Sequence, residues 1–169
     1  MQINKIELKN ISYYKQGSEE TPCYNATVYV NGKKAIEVGN DGHGGMDRQD
    51  AWHEKGFDLK EINDWCIKTF GQKSFTYQSD GKEEVCTYDF DLEQFCHDEL
   101  YKWLDLKDLK KDMNKKYLFV EDKKLYGYPR KNKDQDVTFK TFFYEKHPSA
   151  KCLNFMSFDD ALTLYKESA

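Results

Sequence analysis

The dipeptide Asn31-Gly32 lies between two stretches in which apolar and polar residues alternate, and this commits the N-terminal part of the chain to an antiparallel hairpin. Residues 23–30 place Tyr24, Ala26 and Val28 on one side of a strand and Asn25, Thr27 and Tyr29 on the other. Register then selects the turn. A two-residue loop sets Thr27 against Ile36 and mixes the faces. A three-residue loop with Gly32 left-handed sets Ala26 against Ile36 and Tyr24 against Val38, which keeps the apolar residues together. The second arrangement is expected. Upstream, Ile6, Leu8, Ile11 and Tyr13 alternate in two phases, so the first strand should carry a bulge near Asn10.

After this hairpin the period changes from two to that of a helix. Asp58 and Glu61 have the spacing of a capping box, and Leu59, Ile62, Trp65, Cys66 and Phe70 form one stripe that stops at Gly71. Residues 73–78 and 85–90 flank Ser79-Asp80-Gly81-Lys82, a second hairpin. Asp91 with Gln94 opens a longer helix to about Asn114, its stripe made of Leu92, Cys96, Leu100, Trp103 and Met113. Both Trp65 and Trp103 are expected to be mostly buried. Short strands follow over 117–120 and 125–128, then over 137–144 and 152–155, and Ser157 caps a final helix over 158–167. Residues 131–136 read as a flexible loop. Hairpins followed by helices, without βαβ alternation, predict an α+β fold of antiparallel sheets with two or three packed helices. The 169 residues suit a single domain, with a sub-unit boundary near residues 114–117.

Apolar residues make up only 38% of the chain, yet aromatics reach 15%, so the core must lean on Phe, Tyr and Trp rather than fail to form. Five scattered cysteines, Cys23, Cys66, Cys86, Cys96 and Cys152, lack CxxC spacing and read as free, mostly buried thiols of a reducing compartment. Met1 to Lys9 holds no apolar run of signal-peptide length, and nothing approaches a membrane span. The expected location is the cytoplasm of a bacterial host, away from membranes. The net charge of −4 conceals a step: residues 1–105 carry 12 basic and 20 acidic groups, residues 106–169 carry 14 and 10.

A search for chemistry finds no GxSxG elbow, phosphate loop or HExxH motif. Cys96 and His97 are adjacent on a helix and diverge by about 100°, so they do not face one ion. Cys152 and His147 read as a buried thiol beside an exposed His-Pro turn. No catalytic residue, metal site, cofactor or small-molecule substrate is assigned, and the chain is expected not to be an enzyme.

Two segments stand out as binding surfaces. Asn40, Asp41, Gly42, His43, Gly44 and Gly45 follow a strand, and glycines at that density permit left-handed backbone and leave N–H groups free to form an anion nest or a partner contact. The alternative is a plain turn. In the second segment Lys123, Lys124, Tyr126, Tyr128, Arg130 and Lys131 interleave basic and aromatic groups, a pattern able to follow a phosphate backbone and stack bases. An edge strand protected by lysines explains the same residues.

The N-terminal strand, the loop Ser18-Glu19-Glu20-Thr21, the run Val30-Asn31-Gly32-Lys33-Lys34 and then Asn40-Asp41-Gly42-His43-Gly44-Gly45 resemble an uncharacterised family of small proteins of bacteroidete-type genomes, their phages and mobile elements. That family usually has arginine where this chain has His43. The likeness covers roughly residues 3–46, is looser through the long helix, and includes the Gly127-Tyr128-Pro129 element. It implies a non-enzymatic binding protein that modulates a host protein or ribonucleoprotein, with a CRISPR-type defence nuclease as the expected target. A nucleic-acid-binding module using residues 107–133 is the alternative.

Overall fold

The computed structural model of the chain describes residues 2–131 and 135–168. Residues 132–134 of the loop expected over 131–136 lie outside the described residues. Two compact units, Met1–Leu100 and Tyr101–Ala169, divide the chain, and the division falls within a continuous helix upstream of residues 114–117. The fold is α+β, with antiparallel sheets and helices in both units.

In the first unit β1 (Ile6–Tyr13), β2 (Tyr24–Val30), β3 (Lys33–Asn40) and β4 (Arg48–Ala51) form a four-stranded antiparallel sheet in that order. The bulge near Asn10 is present. Asn10 has φ 55°, and the register moves from Lys9↔Thr27 to Ser12↔Asn25 across it. The Asn31-Gly32 hairpin departs from expectation. Val30 pairs with Lys33 around a two-residue turn whose φ values are 49° and 79°. The extra residue that restores the phase sits in β3 instead, where Tyr29↔Lys34 gives way to Val28↔Ile36 and Ala35 is skipped. Tyr24, Ala26, Ile36 and Val38 still share a face, but Ala26 opposes Val38 and Tyr24 opposes Asn40. A strand bulge does what the three-residue loop was expected to do, because Asn-Gly fits the mirror-image turn so well. Strand β4 was not expected at all. Its sequence, Arg-Gln-Asp-Ala, has no alternation, and it exists because β3 offers it an edge.

Helix α1 (Leu59–Phe70) begins where Asp58 accepts the N–H groups of Lys60 at 2.7 Å and Glu61 at 3.2 Å, and ends at Gly71 with φ 73°. Strands β5 (Gln72–Ser79) and β6 (Lys82–Asp89) pair around Asp80-Gly81 as expected. Helix α2 (Leu92–Lys115) starts with the Gln94 N–H donating to Asp91 Oδ1 at 2.9 Å. Trp65 and Trp103 are mostly but not fully buried, as the helix stripes lead one to expect; Trp65 meets Phe70 edge-on at 5.9 Å. Phe70, expected inside, is 39% exposed and packs its ring on Phe90 at 5.0 Å. The buried interior of the unit includes Tyr24, Val28, Val30, Ile36, Val38, Ile62, Leu92 and Leu100.

In the second unit β7 (Lys116–Glu121) lies between β8 (Lys124–Pro129) and β9 (Lys151–Cys152). The segment 137–144, expected as a strand, lies in helix α3 (Asp136–Lys146). Its aromatic and β-branched composition favours a strand locally, but helical spacing aligns Phe139, Phe143 and His147, and tertiary packing wins. Phe139 stacks on Tyr117 at 3.7 Å and Phe143 meets Phe119 edge-on at 5.0 Å. The strand expected over 152–155 stops at Cys152 and continues as a 3-10 turn, Leu153–Phe155. Ser157 caps α4 (Phe158–Ser168) through the Asp160 N–H at 3.2 Å. Leu109, Leu118, Leu153, Ala161 and Leu162 form one buried cluster. Among the described residues no helix is long and apolar enough to cross a membrane. The cysteines are free; Cys66, Cys96 and Cys152 are buried, whereas Cys86 is exposed.

Candidate functional site

The glycine-rich loop joins β3 to β4, and the side chain of Asn40 organises it. Asn40 Oδ1 accepts from Thr21 Oγ1 at 2.6 Å and from the Gly42 N–H at 2.9 Å. Its Nδ2 donates to Gly45 O at 3.2 Å and Asp47 Oδ1 at 3.1 Å. From outside the loop, the N–H groups of Glu19, Glu20 and Thr21 converge on Gly42 O at 2.9–3.3 Å. Only glycine fits at position 42: φ is 93°, and a Cβ there would stand 1.8 Å from Gly17 O.

Three of the N–H groups that could line an anion nest are bonded within the protein. The Gly42 N–H goes to Asn40, the His43 N–H to Asp41 Oδ1 at 3.2 Å, and the Gly44 N–H to Thr21 Oγ1 at 3.2 Å. Asn40 and Asp41 close local turns on the first two donors, and Thr21, from the segment before β2, takes the third.

Beneath the loop, Asp47 is buried and accepts three kinds of donor. The Tyr24 hydroxyl donates to Oδ2, Asn40 donates to Oδ1, and His97 Nε2 stands 3.3 Å from Oδ2 and 3.4 Å from Oδ1. Burial by itself raises a carboxyl pKa, but the hydrogen bonds from His97 and Tyr24 outweigh it and hold Asp47 below its ordinary value. The same bond to Asp47 holds His97 above its ordinary value against a burial that lowers it. Burial, then the bond to Asp47, pushes the Tyr24 hydroxyl up, so it remains a proton donor. Glu93, one turn before His97 on α2, accepts the Asp47 N–H at 3.1 Å. Ligand atoms of Asp47, Glu93 and His97 lie within 4.8 Å of one another. Tyr24, Asn40 and His97 bond the Asp47 carboxylate and Glu93 takes its backbone N–H, so the cluster ties the loop's exit to β2 and α2. The sequence reading missed Tyr24, Thr21, Asp47 and Glu93; the i, i+4 spacing of Glu93 and His97 was its only legible trace.

The outer side of the loop differs. Asp41, His43 and Gly45 are exposed, and Met46 is 83% exposed. His43 meets Glu19 at 3.3 Å in a solvent-exposed pair, a contact of little energetic weight. Beside the loop lies a cleft of about 500 Å³ lined by Cys23, Asn25, Gly39, Asn40, Asp41, Gly44, Met46 and Arg48.

The structure divides the basic segment of the second unit. Arg130 makes a two-point pair with Asp136, donates to Met113 O at 3.1 Å and covers the Tyr117 ring. The Tyr128 hydroxyl is bonded to His147 at 2.9 Å, and the ring stacks on Phe119. These two residues hold the unit together and are not available to phosphate or base. Lys123, Lys124, Tyr126 and Lys131 remain exposed.

These features define a class: an α+β protein in which a buried polar lock fixes an exposed loop. No protein-family model, curated protein or solved structure matches the chain.

Proposed function

We propose that the chain is a non-enzymatic binding protein, of phage or mobile-element type, that engages a host macromolecule through the outer side of the glycine-rich loop. One observation carries this reading. The interior of the loop is fixed by Asn40, Thr21 and Gly42, while His43 and Met46 present their side chains to solvent and Asp41, which closes a turn on the His43 N–H, is exposed beside them. A rigid loop offering a carboxylate, an imidazole and a flexible thioether loses little entropy on docking and presents varied contacts. The first unit carries 11 basic and 19 acidic residues. Such a surface suits a partner with a basic channel, of which a defence nuclease is the example favoured here. In the second unit, the internal commitments of Arg130 and Tyr128 rank direct nucleic-acid binding behind this reading.

The test compares capture from host lysate by the wild-type chain and by His43→Ala and Met46→Ser. Both variants should keep the melting temperature and weaken binding ten-fold or more, about 1.4 kcal/mol. Undiminished capture by both variants refutes the loop as the contact surface.

A further inference from the structure

The β5–β6 hairpin forms a two-stranded sheet of its own, and almost all its residues are exposed. Isolated two-stranded hairpins are marginal in water, and an open strand edge is a template for another strand. Among the described residues the other sheet edges carry features that discourage such pairing. β1 is bulged at Asn10; β4 has four residues, including Arg48 and Asp50. β8 starts at Lys124 and ends at Pro129, and β9 has two residues. β6 bears Lys82, Glu83, Glu84 and Asp89. β5, Gln-Lys-Ser-Phe-Thr-Tyr-Gln-Ser, has none of these: Lys73 is its one charge, it lacks proline, and its register with β6 is unbroken.

The turn fixes which groups of β5 are free. Ser79 and Lys82 flank the two-residue turn Asp80-Gly81 and form a hydrogen-bonded pair, so alternation points the N–H and C=O of Gln72, Ser74, Thr76 and Gln78 away from β6. Phe75 and Tyr77 share one face, 52% and 43% exposed, with Tyr88 and Cys86 beside them across the hairpin.

We propose that β5 pairs with the β5 of a second copy of this chain, antiparallel about a two-fold axis at Thr76, to form one four-stranded sheet. In that register Phe75 faces Tyr77 of the other copy twice, Ser74 faces Gln78, and Lys73 faces Ser79. No like charges oppose each other, and aromatic residues meet aromatic residues. The same operation through β6 would crowd Lys82 and three carboxylates per strand. The outer edges of the joined sheet are therefore charged β6 strands, which closes the assembly at two copies.

Sedimentation equilibrium of the full chain over a wide concentration range tests this. The wild type should show a monomer–dimer equilibrium. Thr76→Lys, which sets two cations face to face at the axis, should raise its Kd at least ten-fold at an unchanged melting temperature. Glu83→Gln, on the β6 edge, should leave it unchanged. Amide exchange needs no variant: the Ser74, Thr76 and Gln78 N–H groups should gain protection as concentration rises. A monomer at every concentration, a dimer indifferent to Thr76→Lys, or protection independent of concentration overturns the proposal.

Discussion

Replacing Asn40 with alanine tests whether the glycine-rich loop is held from within. The side chain makes four hydrogen bonds, to Thr21 Oγ1, the Gly42 N–H, Gly45 O and Asp47 Oδ1, at 2.6, 2.9, 3.2 and 3.1 Å. A net hydrogen bond is worth about 1 kcal/mol, and a buried donor left without a partner costs about 1–3 kcal/mol. Gly42 is buried, so its N–H has little access to replacement water. Asp47 keeps Tyr24 and His97, which limits the damage on that side. The expected loss is about 3–5 kcal/mol, a large fraction of the roughly 5–15 kcal/mol that ordinarily separates folded from unfolded chains. Native-state amide exchange in β2 and β3 is the suitable assay, because it reports opening of the first unit by itself. Asn40→Asp retains the two acceptor bonds but sets a second carboxylate beside Asp47, so it should also destabilise. A loss of less than about 1 kcal/mol for Asn40→Ala, the size of one hydrogen bond, would refute the interior lock.

Four further outcomes are expected. Gly42→Ala should prevent the first unit from folding, whereas Gly45→Ala, at φ 84° with no neighbour within 4 Å, should cost only about 1–3 kcal/mol; circular dichroism melts compare the two. The Asp47–His97 pair sets a pH window. The depressed Asp47 contributes stability above the ordinary carboxyl value of about 4 and loses it as pH falls through its lowered value. The raised His97 contributes stability below about 6.5 and loses it as pH rises through its raised value. Melting temperature against pH should therefore peak between those limits, and His97→Gln should abolish the decline on the alkaline side. Phe143→Ala, at a fully buried ring packed on Phe119 and Phe139, should cost the second unit about 3–5 kcal/mol in urea melts. Trp65→Ala should cost less than Phe143→Ala, because the indole is not fully buried, and the same melts check it.

Local chemistry wrote much of the fold into the sequence. Asn31-Gly32 and Asp80-Gly81 supply left-handed turn residues, and Asp58, Asp91 and Ser157 supply caps, so the positions of the turns and helix starts were legible without tertiary information, although the length of the Asn31-Gly32 turn was not. The bulge at Asn10 was legible because it shifts the apolar phase within one strand. Tertiary packing decided the rest. Residues 137–144 have strand-like composition, yet the gain from setting Phe139 and Phe143 against Tyr117 and Phe119 makes them helical. β4 has no signal of its own, since a polar four-residue strand forms only where a neighbouring edge receives it. The site divides in the same way. The glycines and Asn40 marked a loop by local conformational demand, but Tyr24, Asp47, Glu93 and His97 are separated by up to 73 positions and become neighbours only when β2, the loop and α2 are packed. No local rule links residues at that distance, so the part-buried polar cluster around Asp47 belongs to the tertiary structure alone.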